Sequence, residues 1–208
     1  MIELFTANTP NGKKISIMLE EIKYDYKVTS IDISKDEQFK TEFKKISPFS
    51  KIPVITDHKN NISLFESGAI LVYLGEQSGK FYDQKEKTNV NQWLMAQIAY
   101  IGPMLGQHHQ FHHYNPGKSQ FGEKRYFKVC TRIYKELDDR LAEVNYLAGN
   151  FYSIADIATF PWIARHKWHD IGLKNYKNLT RWYELISKRE AVKKGYDLFE
   201  KGEKIPNI

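Results

Sequence analysis

The hydrophobic period changes part-way along the chain, and that change restricts the possible folds more than any other feature. Up to about residue 78 short strand and helix patterns alternate; beyond a polar stretch at 78–87 every long apolar pattern has the helical period. Ile2 and Leu4 alternate with polar neighbours until Thr9-Pro10-Asn11-Gly12 breaks the strand, and Ile15, Met18, Leu19 and Ile22 then repeat at helical spacing. Tyr26, Val28 and the pair Ile31/Ile33 suggest a second strand whose phase slips, followed by a charged, mostly exposed helix over 36–46. Val54-Ile55-Thr56 and Ile62-Ser63-Leu64 read as a hairpin around Lys59-Asn60-Asn61. Glu66-Ser67 opens a helix that carries Ile70, Leu71 and Leu74 inward and closes near Gly79. The order β-α-β-α-β-β-α suits an open sheet covered by helices.

The remainder reads as all helical. Val90, Trp93, Leu94, Gln97 and Ile101 share one face, and Gly102-Pro103 is expected to kink or end that helix. Tyr126, Cys130, Ile133, Tyr134, Leu137 and Leu141 make the cleanest stripe, which puts Cys130 on a buried face as a small inert hydrophobe. Ser153-Ile154-Ala155-Asp156 has the form of a capping box with Asp in place of Glu, read as a structural cap. A last helix is expected through Leu179, Trp182, Leu185 and Ile186. The expected division is therefore an α/β domain over 1–80 and an all-helical domain over 88–208.

With 208 residues, 41% of them hydrophobic, the chain can bury a sizeable core and is not a disordered one. The formal charge of +6 is scattered as single lysines and pairs such as Lys13-Lys14 and Lys193-Lys194, not gathered as a nucleic-acid footprint. No apolar run approaches the ~20 residues of a membrane helix. The start, Met1-Ile2-Glu3-Leu4-Phe5, does not have the form of a signal peptide. The single cysteine, Cys130, excludes both an intramolecular disulfide and a Cys-x-x-Cys centre, which fits a cytoplasmic protein.

Three turns of the first domain carry candidate chemistry. Thr9-Pro10-Asn11-Gly12 sits where a helix N-terminus offers amides and partial positive charge to an anion such as a thiolate; its bland alternative is a plain cap. Lys51-Ile52-Pro53-Val54 places a proline at the mouth of a strand, where a cis bond would offer the Ile52 backbone to an extended ligand. Phe65-Glu66-Ser67-Gly68 could bind an amino-acid head group, Glu66 meeting the ammonium and Ser67 the carboxylate, or could simply cap a helix.

The order and spacing of these turns carry a resemblance. Asn-Thr-Pro-Asn-Gly-Lys-Lys-Ile (8–15), Ile-Ser-Pro-Phe-Ser-Lys-Ile-Pro-Val-Ile (46–55), Leu-Phe-Glu-Ser-Gly-Ala-Ile (64–70) and Tyr-Ser-Ile-Ala-Asp-Ile-Ala (152–158) resemble glutathione transferases over essentially the whole chain. Gly-Pro-Met-Leu-Gly-Gln-His-His (102–109), together with Thr-Pro-Asn-Gly, looks like the bacterial Nu-class group, whose members reduce disulfides with glutathione.

The resemblance implies a thioredoxin-like domain followed by a helical one, a homodimer, and glutathione as co-substrate with no metal. It also implies a role for each matching residue. Thr9 and Asn11 would sit beside the glutathione sulfur, and Gln38, with help from Lys51, would bind a carboxylate. The Ile52 backbone would pair with the cysteinyl unit, and Glu66 and Ser67 would hold the γ-glutamyl end. Arg132 would reach a second glutathione or the far half of glutathione disulfide. Where many family members carry a catalytic Tyr, Ser or Cys, this chain has Phe5 and no cysteine in the turn, so the reacting thiol must belong to glutathione. Conjugation of electrophiles and a non-catalytic scaffold of the same fold are the rival functions. The cluster His108, His109, His112 and His113 contains two i, i+4 pairs and leaves three readings open: a metal site, a polar wall over the second substrate, or surface histidines.

Overall fold

A computed structural model describes residues 1–208, which divide into two compact units. The first comprises Met1–Tyr82 with Arg189–Lys204, and the second Asp83–Lys188 with Ile205–Ile208.

The first unit is built on a four-stranded mixed sheet in the order β2-β1-β3-β4. Strands β1 (Ile2–Thr6) and β2 (Tyr26–Ser30) run parallel, while β3 (Val54–Asp57) is antiparallel to both β1 and β4 (Ile62–Phe65). Parallel neighbours need a crossover, and α1 (Pro10–Ile22) supplies it. The hairpin partners are connected directly, as the turn cluster at 59–61 predicts. A short α2 (Thr41–Ile46) follows a 3₁₀ turn at Glu37–Phe39, and α3 (Ser67–Ser78) ends on Gly79 at φ 65°. Leu4, Ile55, Ile15, Met18, Leu19, Ile70, Leu71 and Leu74 are fully buried, so the faces assigned by periodicity are the faces that pack. The arrangement is the expected thioredoxin-like sheet and helices.

The second unit is helical: α4 (Lys87–Ala96), α5 (Gly102–His108), α6 (Gln120–Glu143), α7 (Ile154–Ile163) and α8 (Lys177–Ser187). Gly102-Pro103 neither ends nor breaks its helix. A π-helical turn at Gln97–Ile101 joins α4 to α5, with the Gly102 N–H donating to the Gln97 carbonyl, and the wider turn accommodates Pro103, which has no N–H to donate. A side chain at Gly102 would press on Gln97 Nε2 at 2.8 Å. The stripe on α6 is buried from Cys130 to Leu141. Leu185 of α8, expected inward, is 42% exposed; Leu179, Trp182, Tyr183 and Ile186 form the buried face instead. No helix is long and apolar enough to cross a membrane.

The expected helical domain over 88–208 differs from the observed division at its end, because α9 (Glu190–Tyr196) packs on α1 within the first unit. Gly195 allows this: a Cβ there would lie 2.5 Å from Ile17 Cα. Ser16 Oγ donates to the Gly195 carbonyl at 2.5 Å, and Arg189 clasps Glu21 through two N–H···O bonds of 2.5 and 2.8 Å. Buried Lys13 lies 3.5 Å from the Tyr196 ring centroid and is paired with Glu203. These are tertiary contacts of a seven-residue helix too short for a periodic signature.

Candidate functional site

Three turns meet at one end of the sheet of the first unit. At the first, Thr9 is the N-cap of α1, with extended backbone and Oγ1 accepting from the Gly12 N–H at 3.2 Å. Pro10 takes the first helical position, where the N–H it lacks has no intrahelical partner, and Asn11 follows on the side of the cavity. Gly12 is required by close approach, since a Cβ would fall 2.3 Å from Thr6 Oγ1 and 2.7 Å from the Ala7 carbonyl. The helix N-terminus can therefore sit directly against the end of β1.

The second turn is pinned by Ser47, whose hydroxyl donates to the Lys51 carbonyl at 2.8 Å and accepts from the Lys51 N–H at 3.0 Å. It leads into an Ile52–Pro53 bond that is cis. At the third turn Glu66 holds φ 68° and ψ 113°, a backbone conformation costly for a residue with a Cβ, just before Ser67 begins α3. Such strain persists where the surroundings over-determine it, commonly at binding sites. Here the Glu66 carbonyl accepts from the Ile70 N–H at 3.0 Å and locks the turn to the helix.

Together the turns enclose a cavity of about 160 Å³ lined by Asn11, Lys51, Ile52, Glu66 and Ser67, with Phe49 and Phe65 on its rim. Its chemistry is graded: an amide side chain at a helix N-terminus on one side, backbone at Ile52 in the middle, and a carboxylate–hydroxyl pair opposite. Beneath the last pair lies Lys14, 1% exposed, with Nζ 3.2 Å from Ser67 Oγ. Burial pulls this ammonium group down to about 7, against the opposing influence of Glu66.

The other expected residues stand apart from this cavity. Thr9 lines a neighbouring cavity of about 680 Å³ with Asp32, Asp197 and Glu203. Gln38 occupies the 3₁₀ turn at Glu37–Phe39, and its Oε1 is buried without a hydrogen-bond partner. Arg132, in the helical unit, donates to the Tyr100 hydroxyl at 2.7 Å and borders an apolar cavity of about 330 Å³ with Trp93, Ile133 and Leu137. Sequence reasoning gave no role to Lys14, Ser47, Phe49 or Phe65, although all four stand in the runs that carry the resemblance. Lys14 had a signal: it lies four residues before Met18, in the apolar stripe of α1, where a charge is out of place.

The histidines separate into two pairs. His108 and His109 are buried, and His109 stacks on His169 at 4.6 Å between ring centroids. The His169 Nδ1 lies 2.6 Å from the Tyr134 hydroxyl, and its carbonyl 2.9 Å from His108 Nε2. Burial pushes His109 down to about 3 and His169 well below the ordinary range, so both are neutral packing groups. His112 and His113 are more exposed, His113 stacking on Trp168 at 4.0 Å. No group of three or more His, Cys, Asp or Glu side chains is arranged to hold a metal ion.

The family model for the glutathione S-transferase N-terminal domain matches residues 2–76, and that for the C-terminal domain matches 102–190. The Escherichia coli K12 disulfide-bond oxidoreductase YfcG is 43% identical over 199 residues, covering 92% of this chain and 93% of its own. A Burkholderia graminis glutathione transferase crystallised with two glutathione molecules per subunit superposes with a TM-score of 0.90 at 33% identity, over 97% of this chain and 89% of that one. A Pseudomonas putida glutathione transferase with one glutathione disulfide bound per subunit has a TM-score of 0.87 at 35% identity, over 95% and 91% of the two chains. On the strength of both domain matches and of these relatives, the chain belongs to the glutathione S-transferase family.

Proposed function

We propose that the protein is a glutathione-dependent disulfide-bond oxidoreductase that works with a bound glutathione thiolate and no cysteine of its own. One observation carries the reading. The cavity joins Asn11 at a helix N-terminus to Ile52, Glu66 and Ser67, while the chain's single thiol is buried elsewhere and pushed up to about 12 by burial. A site built for a thiol peptide, in a protein without a usable thiol, leaves the sulfur chemistry to the ligand.

In this reading Glu66 accepts from the γ-glutamyl ammonium, Ser67 donates to its carboxylate, and the Ile52 backbone pairs with the cysteinyl unit. Asn11 and Thr9, with the start of α1, stabilise the thiolate. A free thiol of pKa near 8.5 is mostly protonated at neutral pH, and a helix N-terminus favours its ionised form. That thiolate attacks one sulfur of a disulfide RS–SR′, forming GS–SR and expelling R′S⁻, which takes up a proton. The thiolate of a second glutathione attacks the glutathione sulfur of GS–SR, giving glutathione disulfide and RS⁻. The net change is two glutathiones oxidised and one disulfide reduced to two thiols. Gln38 and Arg132 are assigned to glutathione carboxylates, Arg132 to those of the second glutathione. The name borne by YfcG and the glutathione disulfide bound to the Pseudomonas putida relative support this reading over conjugation. A cytoplasmic homodimer completes it.

The test compares two rates of the purified protein: glutathione-dependent reduction of a small organic disulfide, coupled to glutathione reductase and NADPH, and conjugation of glutathione to a chlorinated nitrobenzene. Reduction is expected to dominate. Dominant conjugation would replace the proposal with ordinary transferase chemistry, and silence in both with a scaffold.

A further inference from the structure

We propose that Lys14 is a positioning residue for the γ-glutamyl end of the cavity, acting from inside the fold through the Ser67 hydroxyl. The proposal rests on the glutathione reading above and adds to it a residue to which the resemblance assigns no role.

Lys14 and Ser67 come from different helices, α1 and α3, and meet where the two pack. In its charged form, which the nearby carboxylate of Glu66 favours, Lys14 only donates, so at 3.2 Å the Ser67 oxygen is then the acceptor. That leaves the Ser67 O–H to donate, and a ligand carboxylate on the cavity side is an acceptor for it. Lys14 at the same time puts a positive charge behind the place where a carboxylate would rest, and Glu66 is close enough to balance it. The order ammonium, hydroxyl, carboxylate is a polarised chain in which each group settles the orientation of the next.

Its neighbour shows what a purely structural buried lysine looks like in this fold. Lys13 is 2% exposed, is paired with Glu203 and lies over the ring of Tyr196, so its charge ties the 189–204 segment to α1. Lys14 instead directs its charge at a residue that lines the cavity. Burying an ammonium group is unfavourable, Met has a length close to that of the lysine stem, and Glu66 is exposed to solvent and is not stranded by the change. Lys14→Met is therefore expected to fold and to lose affinity for glutathione.

The experiment titrates wild-type protein and Lys14→Met calorimetrically with two peptides: glutathione, and γ-aminobutyryl-cysteinyl-glycine, which lacks only the γ-glutamyl carboxylate. Loss of a charge-supported hydrogen bond predicts that Lys14→Met binds glutathione about tenfold more weakly. It is expected to bind the analogue as the wild type does. In steady state the KM for glutathione should rise while kcat at saturation is held. Equal glutathione affinity in the two proteins, or the same loss for both peptides, would overturn the role of Lys14 and leave the glutathione reading intact. Wild-type protein that binds neither peptide would overturn that reading and Lys14's role with it. Should Lys14→Met not fold, Lys14→Gln, which keeps a donor toward Ser67 without the charge, carries the same comparison, with partial loss expected for glutathione only. Lys13→Met is the control, with a lower melting temperature and wild-type affinity for each peptide.

Discussion

The indole N–H of Trp182 donates to Asp156 Oδ1 at 2.9 Å, with both side chains fully buried in the helical unit. The same carboxylate accepts from the backbone N–H of Leu147 at 2.9 Å and from the N–H and hydroxyl of Ser153, each at 3.0 Å. The capping box that the sequence signals is thus one side of a buried junction between α7, α8 and the 145–150 turn.

Asp156→Ala should leave several of these donors buried and unmatched, at about 1–3 kcal/mol each. The expected loss of stability is well beyond the 0.5–2 kcal/mol of an ordinary cap. Urea unfolding of the variant would measure it; a loss near 1 kcal/mol would mean that water or a rearranged backbone takes the carboxylate's place.

The buried imidazoles should make the protein acid-sensitive. Burial holds His109 near 3 in the folded state, below the ordinary 6.5, so the unfolded chain binds the extra proton as the pH falls. Stability from this group is therefore full above pH 6.5 and is lost progressively as the pH drops toward 3. His169 shifts in the same direction. Unfolding free energies at pH 7.5 and 5 should differ less in His109→Asn than in wild type.

Asn11→Ala should lower turnover more than it weakens glutathione binding, because a donor aimed at sulfur matters most when the sulfur is charged. A fall in kcat of about a hundredfold is expected, the low end for loss of a preorganised donor. Unchanged turnover would remove Asn11 from the mechanism.

Cys130→Ser should retain disulfide reduction. The thiol is fully buried, its Sγ lies 3.5 Å from the Met104 carbonyl, and burial pushes it up to about 12, so almost no thiolate forms. The native protein should also resist iodoacetamide at pH 8. A folded but inactive Cys130→Ser would restore the protein thiol to the chemistry.

Gly195→Ala should loosen α9 from α1. The added methyl would meet Ile17 Cα at 2.5 Å and Ile17 N at 2.6 Å, backbone atoms that cannot rotate aside. Overpacking of this kind costs about 1–3 kcal/mol. A thermal melt should show the loss, while an unchanged melting temperature would mean that α9 shifts without consequence.

What the sequence by itself determined is local. Period and punctuation place α1, the β3–β4 hairpin, α3 and the long α6, because each buries one face at a spacing that short stretches of chain display. The motif turns at Thr9–Gly12, Ile52–Pro53 and Glu66–Ser67 were legible for the same reason, as short runs with special backbone requirements. Only the tertiary structure decided which of them share a cavity: Asn11, Ile52, Glu66 and Ser67 line it, while Thr9 caps a helix beside it. It also decided that α9 belongs with the sheet, that a π-helical turn carries the chain through Pro103, and that His108 and His109 are packing groups. Lys14 shows the boundary most clearly. Its place in an apolar stripe is written in the sequence, but its partner lies 53 residues away on another helix. A buried charge takes its meaning from what packing sets within hydrogen-bond reach, and periodicity carries no record of that.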